Sequence, residues 1–130
     1  MSGKGTPGDP WQLKTPPGSS EYSAYRDGEE LVAQVGKTQV RYRVRAIDDL
    51  HAMLKAHGDW MPLGSADEGK PAAEGTVEAW ARAEDNPVGG WYGLKKGLRG
   101  RFANYVPPVL EELGLAEVEH NARNNRMRAR

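Results

Sequence analysis

The chain has 130 residues, which is enough for one domain and excludes two independent hydrophobic cores. Its 18 basic and 18 acidic side chains cancel, so self-repulsion does not oppose a compact fold. The absence of Cys excludes disulfides, thiolate metal sites and a Cys nucleophile, and it fits a cytoplasmic protein. No apolar run approaches the ~18 residues that a membrane span requires, so we expect no membrane partner.

The N-terminal 20 residues hold four Gly and four Pro and predict an arm, partly flexible, without a regular element. Within it, Trp11 is expected to fold back and cover a core edge together with Tyr22 and Tyr25, because an indole in a solvated tail would leave apolar surface exposed. A single α+β domain is expected over residues 21–130.

A β-hairpin is predicted over residues 31–45, where apolar and polar side chains alternate. Gly36 and Lys37 can form a two-residue type II′ turn, with Gly at the first central position. The apolar faces of the two strands then coincide, which supports this register. The expected pairs are Val35 with Thr38, Ala33 with Val40 and Leu31 with Tyr42.

Two helices are predicted after the hairpin. Asp48 is expected to cap the first, which runs to His57 and ends before Gly58. A long loop over residues 59–75 follows. Thr76 is expected to cap the second helix, over residues 76–84.

A third helix is predicted over residues 94–113, because large apolar side chains from Trp91 to Tyr105 keep a helical period. Glycines interrupt this helix at a cost of ~1 kcal/mol each and fall on the face opposite the apolar one. Such a bare cationic face would let a phosphate backbone approach closely. The alternative is that the glycines break the segment into turns with solvated cations. The glycines are Gly93, Gly97 and Gly100, and the flanking cations are Lys96, Arg99 and Arg101.

The prolines Pro107 and Pro108 can open the final helical turns, and Gly114 with Leu115 predicts a Schellman stop. A second hairpin is predicted over residues 116–129. Its inward side chains are expected to be Val118 and Met127.

The last forty residues hold 8 basic and 4 acidic side chains. Arginines interleaved with asparagines at the tip and return strand of the second hairpin are suited to phosphate and minor-groove contacts, although a frayed polar terminus would look the same. The predicted nucleic-acid-binding residues are Lys96, Arg99, Arg101, Arg123, Arg126 and Arg128.

The element order over residues 46–130 resembles that of a winged-helix domain, with the third helix as recognition helix and the second hairpin as wing. This resemblance implies an α+β single domain that binds nucleic acid.

Four segments also resemble those of a family of small uncharacterised bacterial proteins. This second resemblance spans most of the chain and implies no activity and no site. The segments are Gly5-Thr-Pro-Gly-Asp-Pro-Trp11, Arg45-Ala-Ile-Asp-Asp-Leu50, Gly89-Gly-Trp-Tyr-Gly93 and Arg123-Asn-Asn-Arg-Met-Arg128.

No spacing of titratable residues indicates catalysis. His51 and His57 are too far round one helix to share a metal, since a helical metal clamp needs positions i and i+4. Residues 93–101 are rich in glycine but lack the Gly-Lys-Ser/Thr ending of a phosphate loop. We therefore expect no catalytic residue, no metal and no cofactor, and we favour a binding protein over an enzyme.

Two kinds of partner remain open. Nucleic acid is the leading expectation. The alternative is a protein-interaction or small-ligand-binding domain in which aromatic rings line a groove rather than only a core. These rings are Trp60, Trp80, Trp91 and Tyr92.

Overall fold

The computed structural model describes residues 3–130, and its architecture is α+β, as the sequence predicts. An antiparallel sheet contains four strands in chain order, so each pairs with the next. These strands are β1 (Trp11–Lys14), β2 (Glu21–Asp27), β3 (Glu30–Val35) and β4 (Thr38–Arg43).

The predicted first hairpin is confirmed as β3 and β4. Val35 pairs with Thr38 and Leu31 with Tyr42, which is the expected register. Gly36 has a φ of 61° whereas Lys37 has no positive φ, the combination that a type II′ turn requires. Turn chemistry and side-chain alternation therefore agree here.

The prediction that residues 1–20 contain no regular element is wrong for Trp11–Lys14, and Met1 and Ser2 lie outside the described residues. Trp11 and Leu13 alternate with polar neighbours and both are buried against the core. Tyr22 is buried with them, as expected. Tyr25 pairs with Val32, which is buried outside the main core cluster, so Tyr25 lies on the other face of the sheet.

Within residues 3–130, four helices and a second sheet complete the fold. This three-stranded antiparallel sheet has the order β5-β7-β6. The helices are α1 (Ala46–His57), α2 (Val77–Trp80), α3 (Phe102–Tyr105) and α4 (Pro107–Glu112), and the strands are β5 (Met61–Pro62), β6 (Ala116–Val118) and β7 (Arg126–Ala129).

The predicted helix boundaries need two corrections. Helix α1 begins at Ala46, so Asp48 lies inside its first turn, where a carboxylate favours the helix dipole without capping it. The predicted helix over residues 76–84 is regular only over Val77–Trp80. Its cap is confirmed, because Oγ1 of Thr76 accepts from the N–H of Ala79 at 3.1 Å. Gly58, with a φ of 74°, ends α1 as expected.

The prediction of one helix over residues 94–113 is wrong, and the winged-helix resemblance loses its recognition helix with it. Residues 94–101 are turns and loop, and α3 begins only at Phe102. A Cβ at position 100 would overlap the backbone of Glu68. Gly100 does permit a close approach, but the approaching surface is another loop of the same chain.

The end of the chain follows the prediction more closely. Pro107 and Pro108 occupy the first turn of α4. The N–H of Leu115 donates to the carbonyl of Leu110 at 2.9 Å and that of Gly114 to Glu111 at 3.0 Å, which are the two bonds of a Schellman motif.

The second hairpin is confirmed as β6 and β7, with Val118 and Met127 paired and both buried. The third strand, β5, was not predicted. Its residue Met61 pairs with Met127 from the other side.

The core is rich in aromatic rings. The rings of Tyr42 and Phe102 meet edge to face with centroids 5.6 Å apart, and Tyr92 lies at the same distance from Phe102. Trp80 stacks on Tyr92 at 5.2 Å. These rings join β4 to α2 and α3, which fixes the loops that connect those elements.

Candidate functional site

A cleft of about 440 Å³ lies between the hairpin of β3 and β4 and two loops, residues 64–75 and residues 93–101. We call it the 67–101 cleft. Its apolar wall is formed by Val35, Val40 and Leu98. Its polar side chains are Thr38, Asp67, Glu68, Arg101 and Tyr105.

The two loops are joined by the carboxylate of Glu68. It accepts from the backbone N–H of Gly97 at 2.6 Å and from Nε of Arg99 at 2.7 Å. The backbone N–H of Arg101 donates to the carbonyl of Ala66 at 2.8 Å. The hydrogen bond from Arg99 holds the pKa of Glu68 below its usual value, so this joint is charged at neutral pH.

Arg82 fixes the first loop from behind. Its guanidinium donates to the carbonyls of Ala66, Asp67 and Lys70 at 2.7, 3.0 and 2.6 Å. It also lies 4.7 Å from the ring centroid of Trp91, which Arg99 approaches at 4.3 Å. The side chain of Arg82 therefore contacts three carbonyls of the loop and one aromatic ring.

Glu78 connects Arg82 to α3. Its side chain is fully buried and accepts from the N–H groups of Phe102 and Ala103 at 3.3 and 3.0 Å, which serves as the cap of that helix. Burial raises the pKa of Glu78, although these donors and Arg82 oppose the effect. The position of Arg101, the residue before α3, is thereby set.

Arg101 is the cation inside the cleft. Its φ of 58° is a left-handed conformation that residues other than glycine rarely adopt. Its Nε pairs with Asp67, which lowers the pKa of that carboxyl, and its side chain is 53% exposed. Within residues 3–130, the two terminal guanidinium nitrogens of Arg101 donate no hydrogen bond to a carboxylate, and a hydrogen bond with Tyr105 adds to that of Asp67 in raising the pKa of Arg101. These nitrogens can donate to a ligand.

A cationic rim borders the cleft. Lys37, Arg41 and Lys95 line an adjoining cavity of about 550 Å³ that shares Thr38 and Leu98 with the 67–101 cleft. Arg41 pairs with Glu30 at 2.7 Å. Lys37 and Lys95 form no ion pair within the described chain, so they contribute positive charge to the rim.

The six predicted nucleic-acid-binding residues fall into two groups. Lys96, Arg99 and Arg101 lie on the second loop of the cleft, and in the described part of the chain only Arg99 and Arg101 of these three pair with carboxylates. Arg123, Arg126 and Arg128 lie at the tip and on β7.

The arginines of β7 are also paired. Arg126 contacts Glu119 at 2.8 Å and Arg128 contacts Glu117 at 3.2 Å. Both guanidinium groups lie over the ring of Trp60, at 5.2 and 4.5 Å from its centroid. Arg123 is exposed and, among residues 3–130, forms no ion pair.

The sequence interpretation missed the acidic half of the cleft. Asp67 and Glu68 lie in the predicted long loop, and they pair with Arg101 and Arg99 respectively. The sequence does show two adjacent acidic residues and two closely spaced arginines. The two pairs are separated by more than thirty residues, so the sequence does not indicate that they meet. Tyr105 and Arg82 carried no local signal.

The four rings expected to line one groove are separated. Trp80 borders a second cavity, described below, and Tyr92 packs behind it. Trp91 is covered by Arg82 and Arg99, and Trp60 by the arginines of β7.

Residues 3–130 contain neither a candidate metal centre nor a membrane-spanning helix. That part of the chain holds no group of three or more His, Cys, Asp or Glu arranged for a metal ion. It also holds no helix with the length and apolar character needed to cross a bilayer.

The fold and cleft define a small single-domain α+β protein with a cavity that combines an apolar wall with a few charged side chains. The chain belongs to the Family of unknown function (DUF6855), whose model matches residues 3–130. Neither the curated proteins nor the solved structures include a match.

Proposed function

We propose that this protein binds a small anionic ligand with an apolar body in the 67–101 cleft. The observation that carries the proposal is Arg101, a strained and half-exposed cation that Asp67 engages through Nε alone. Strained residues persist where the surrounding structure holds them, and they cluster at ligand clamps. Arg101 can offer two further donors to a carboxylate or phosphate.

The cleft has the composition of a small-ligand site. An apolar wall provides most of the binding surface, and a few polar groups set orientation. Val35, Val40 and Leu98 would contact the apolar body, while the hydroxyls of Thr38 and Tyr105 would orient it. A volume near 440 Å³ suits a ligand of one or two rings.

The rim favours a negative ligand. Lys37 and Lys95 add charge that no described carboxylate offsets, and such charge increases the rate at which anions reach a cleft. We also propose the cytoplasm as the compartment, since the chain contains no Cys.

Nucleic acid binding is a weaker proposal. A phosphate backbone would have to compete with Glu119 for Arg126 and with Glu117 for Arg128. Giving up these ion pairs would offset part of the free energy that the phosphate contacts contribute, which reduces the affinity for phosphate.

The test is an NMR titration of the ¹⁵N-labelled protein with 2-naphthoate, which combines a two-ring apolar body with a carboxylate. Amide shifts are expected at residues 67–69 and 97–101 and on the hairpin of β3 and β4. The uncharged 2-naphthamide is the matched control and is expected to bind more weakly. Shifts scattered over the surface, or equal binding of the amide, would overturn the proposal. A short DNA duplex titrated in parallel tests the weaker proposal, nucleic acid binding.

A further inference from the structure

A second cavity, of about 660 Å³, lies on a different part of the molecule, between α1 and the segment that contains α2. Met53, Ala56 and His57 line it from α1 at positions i, i+3 and i+4. Ala79, Trp80 and Ala83 line it from the other side with the spacing of one helical face. We call this cavity the α1–α2 groove.

Most of the groove's lining surface is apolar. Met61 of β5 also lines it, and two methionines give a surface that adapts to differently shaped side chains. Trp80 is held by its stack on Tyr92, with ring planes 28° apart, so its free side is a rigid contact surface. The alanines leave space beside it.

Acidic side chains border the groove at both ends of the α2 segment. Glu74 precedes α2 and Asp85 follows it, and both line the cavity. Neither carboxylate forms an ion pair within residues 3–130. The one side chain of the lining that can carry positive charge is His57, whose Nε2 contacts the carbonyl of Trp60 at 3.2 Å.

We infer that the α1–α2 groove binds a short segment of a partner protein in which apolar side chains are flanked on both sides by Lys or Arg. Charge complementarity selects this occupant, because unpaired carboxylates before and after the α2 segment attract cations to this apolar surface and repel acids. The apolar side chains would pack on Trp80 and the two methionines, as an amphipathic segment does in a hydrophobic groove.

The probe is a capped peptide, Lys-Lys-Leu-Ala-Ala-Leu-Lys-Lys, titrated into the full ¹⁵N-labelled chain. We expect amide shifts confined to α1, β5 and the α2 segment, and an affinity that decreases with added salt. A peptide with Glu in place of every Lys is expected not to bind. Equal binding of the two peptides, or shifts outside the groove, would overturn the inference.

Variants locate the interaction. The double substitution Glu74→Gln and Asp85→Asn is expected to weaken binding several-fold, whereas Glu84→Gln, which changes an exposed neighbour that does not line the groove, should leave it unchanged. Ala56→Gln fills the groove at an exposed position and should weaken binding without altering the rest of the spectrum. An equal loss in Glu84→Gln, or no loss in Ala56→Gln, would show that binding does not use the groove.

Discussion

Glu78 and Arg82 lie one helical turn apart and form an ion pair of 3.1 Å whose carboxylate is wholly buried. The carboxylate caps α3 and the guanidinium holds three carbonyls of the loop at residues 64–75. This pair therefore connects α2, α3 and one wall of the 67–101 cleft.

Replacing Arg82 by Met is expected to destabilise the fold by about 3–5 kcal/mol, because the Glu78 carboxylate would stay buried without its cation. Urea unfolding measures the loss. Arg43→Met is the control: Arg43 is exposed and forms no ion pair among the described residues, so a change within about 0.5 kcal/mol is expected. A cost below about 1 kcal/mol for Arg82→Met would show that the network is dispensable.

Gly100→Ala tests the close contact between the two loops of the cleft. The new Cβ would meet the backbone of Asp67 and Glu68, which cannot move aside as a side chain can, so we expect a loss of at least about 2 kcal/mol. Gly69→Ala is the matched control, since nothing lies near its Cβ position and its φ is not positive. Equal, small effects of the two substitutions in thermal unfolding would contradict the observed packing.

The sequence predicted best those features that local chemistry decides. The turn at Gly36, the Schellman motif at Gly114 and the cap at Thr76 each depend on residues within one or two turns of one another. Their conformations follow from side-chain chemistry that a single sequence displays.

Residues 94–101 could not be predicted in the same way. Their apolar period fits a helix. The carboxylate of Glu68, about thirty residues earlier, accepts hydrogen bonds from the N–H groups of Gly97 and Arg99, and these bonds hold the segment as a loop. Tertiary hydrogen bonds of this kind override local propensity. The same long separation concealed the pairing of Asp67 with Arg101, and hence the cleft.

His120 is expected to make part of the stability depend on pH. Its ring contacts Glu111 at 2.6 Å and the carbonyl of Pro16 at 3.0 Å. Burial lowers the pKa of His120, but these two hydrogen bonds raise it more, so the pKa lies above its ordinary value of 6.5. The contribution is therefore complete below pH 6.5 and is lost as the pH rises through the folded-state pKa.

Melting temperatures of the wild type and His120→Gln between about pH 5.5 and about pH 9 measure this effect. The wild type should be the more stable at the acidic end, and the difference should shrink as the pH rises. A difference that is constant or grows with pH would contradict a protonated His120.

The arginines of the second hairpin are expected to matter little for stability. Arg126 and Arg128 form exposed ion pairs, which contribute between about 0 and 1 kcal/mol each, and Arg123 has no ion pair within residues 3–130. Replacing all three by Ala should lower the melting temperature by only a few degrees and abolish any salt-dependent binding of duplex DNA. Unfolding of the triple variant would instead assign these residues a structural role.

The most direct measurement of the proposed function is the dissociation constant of 2-naphthoate for the wild type, Arg101→Gln and Arg123→Gln, obtained by calorimetry in one buffer. Gln is unbranched, as Arg is, and has a similar preference for backbone conformation, but it carries no charge. A hydrogen bond to a charged group is worth about 1.5–3 kcal/mol, so Arg101→Gln should weaken binding about tenfold or more. Arg123→Gln removes the same charge at a residue that does not line the cleft, so this variant should bind 2-naphthoate as the wild type does. Equal affinities of all three proteins would contradict binding at the 67–101 cleft.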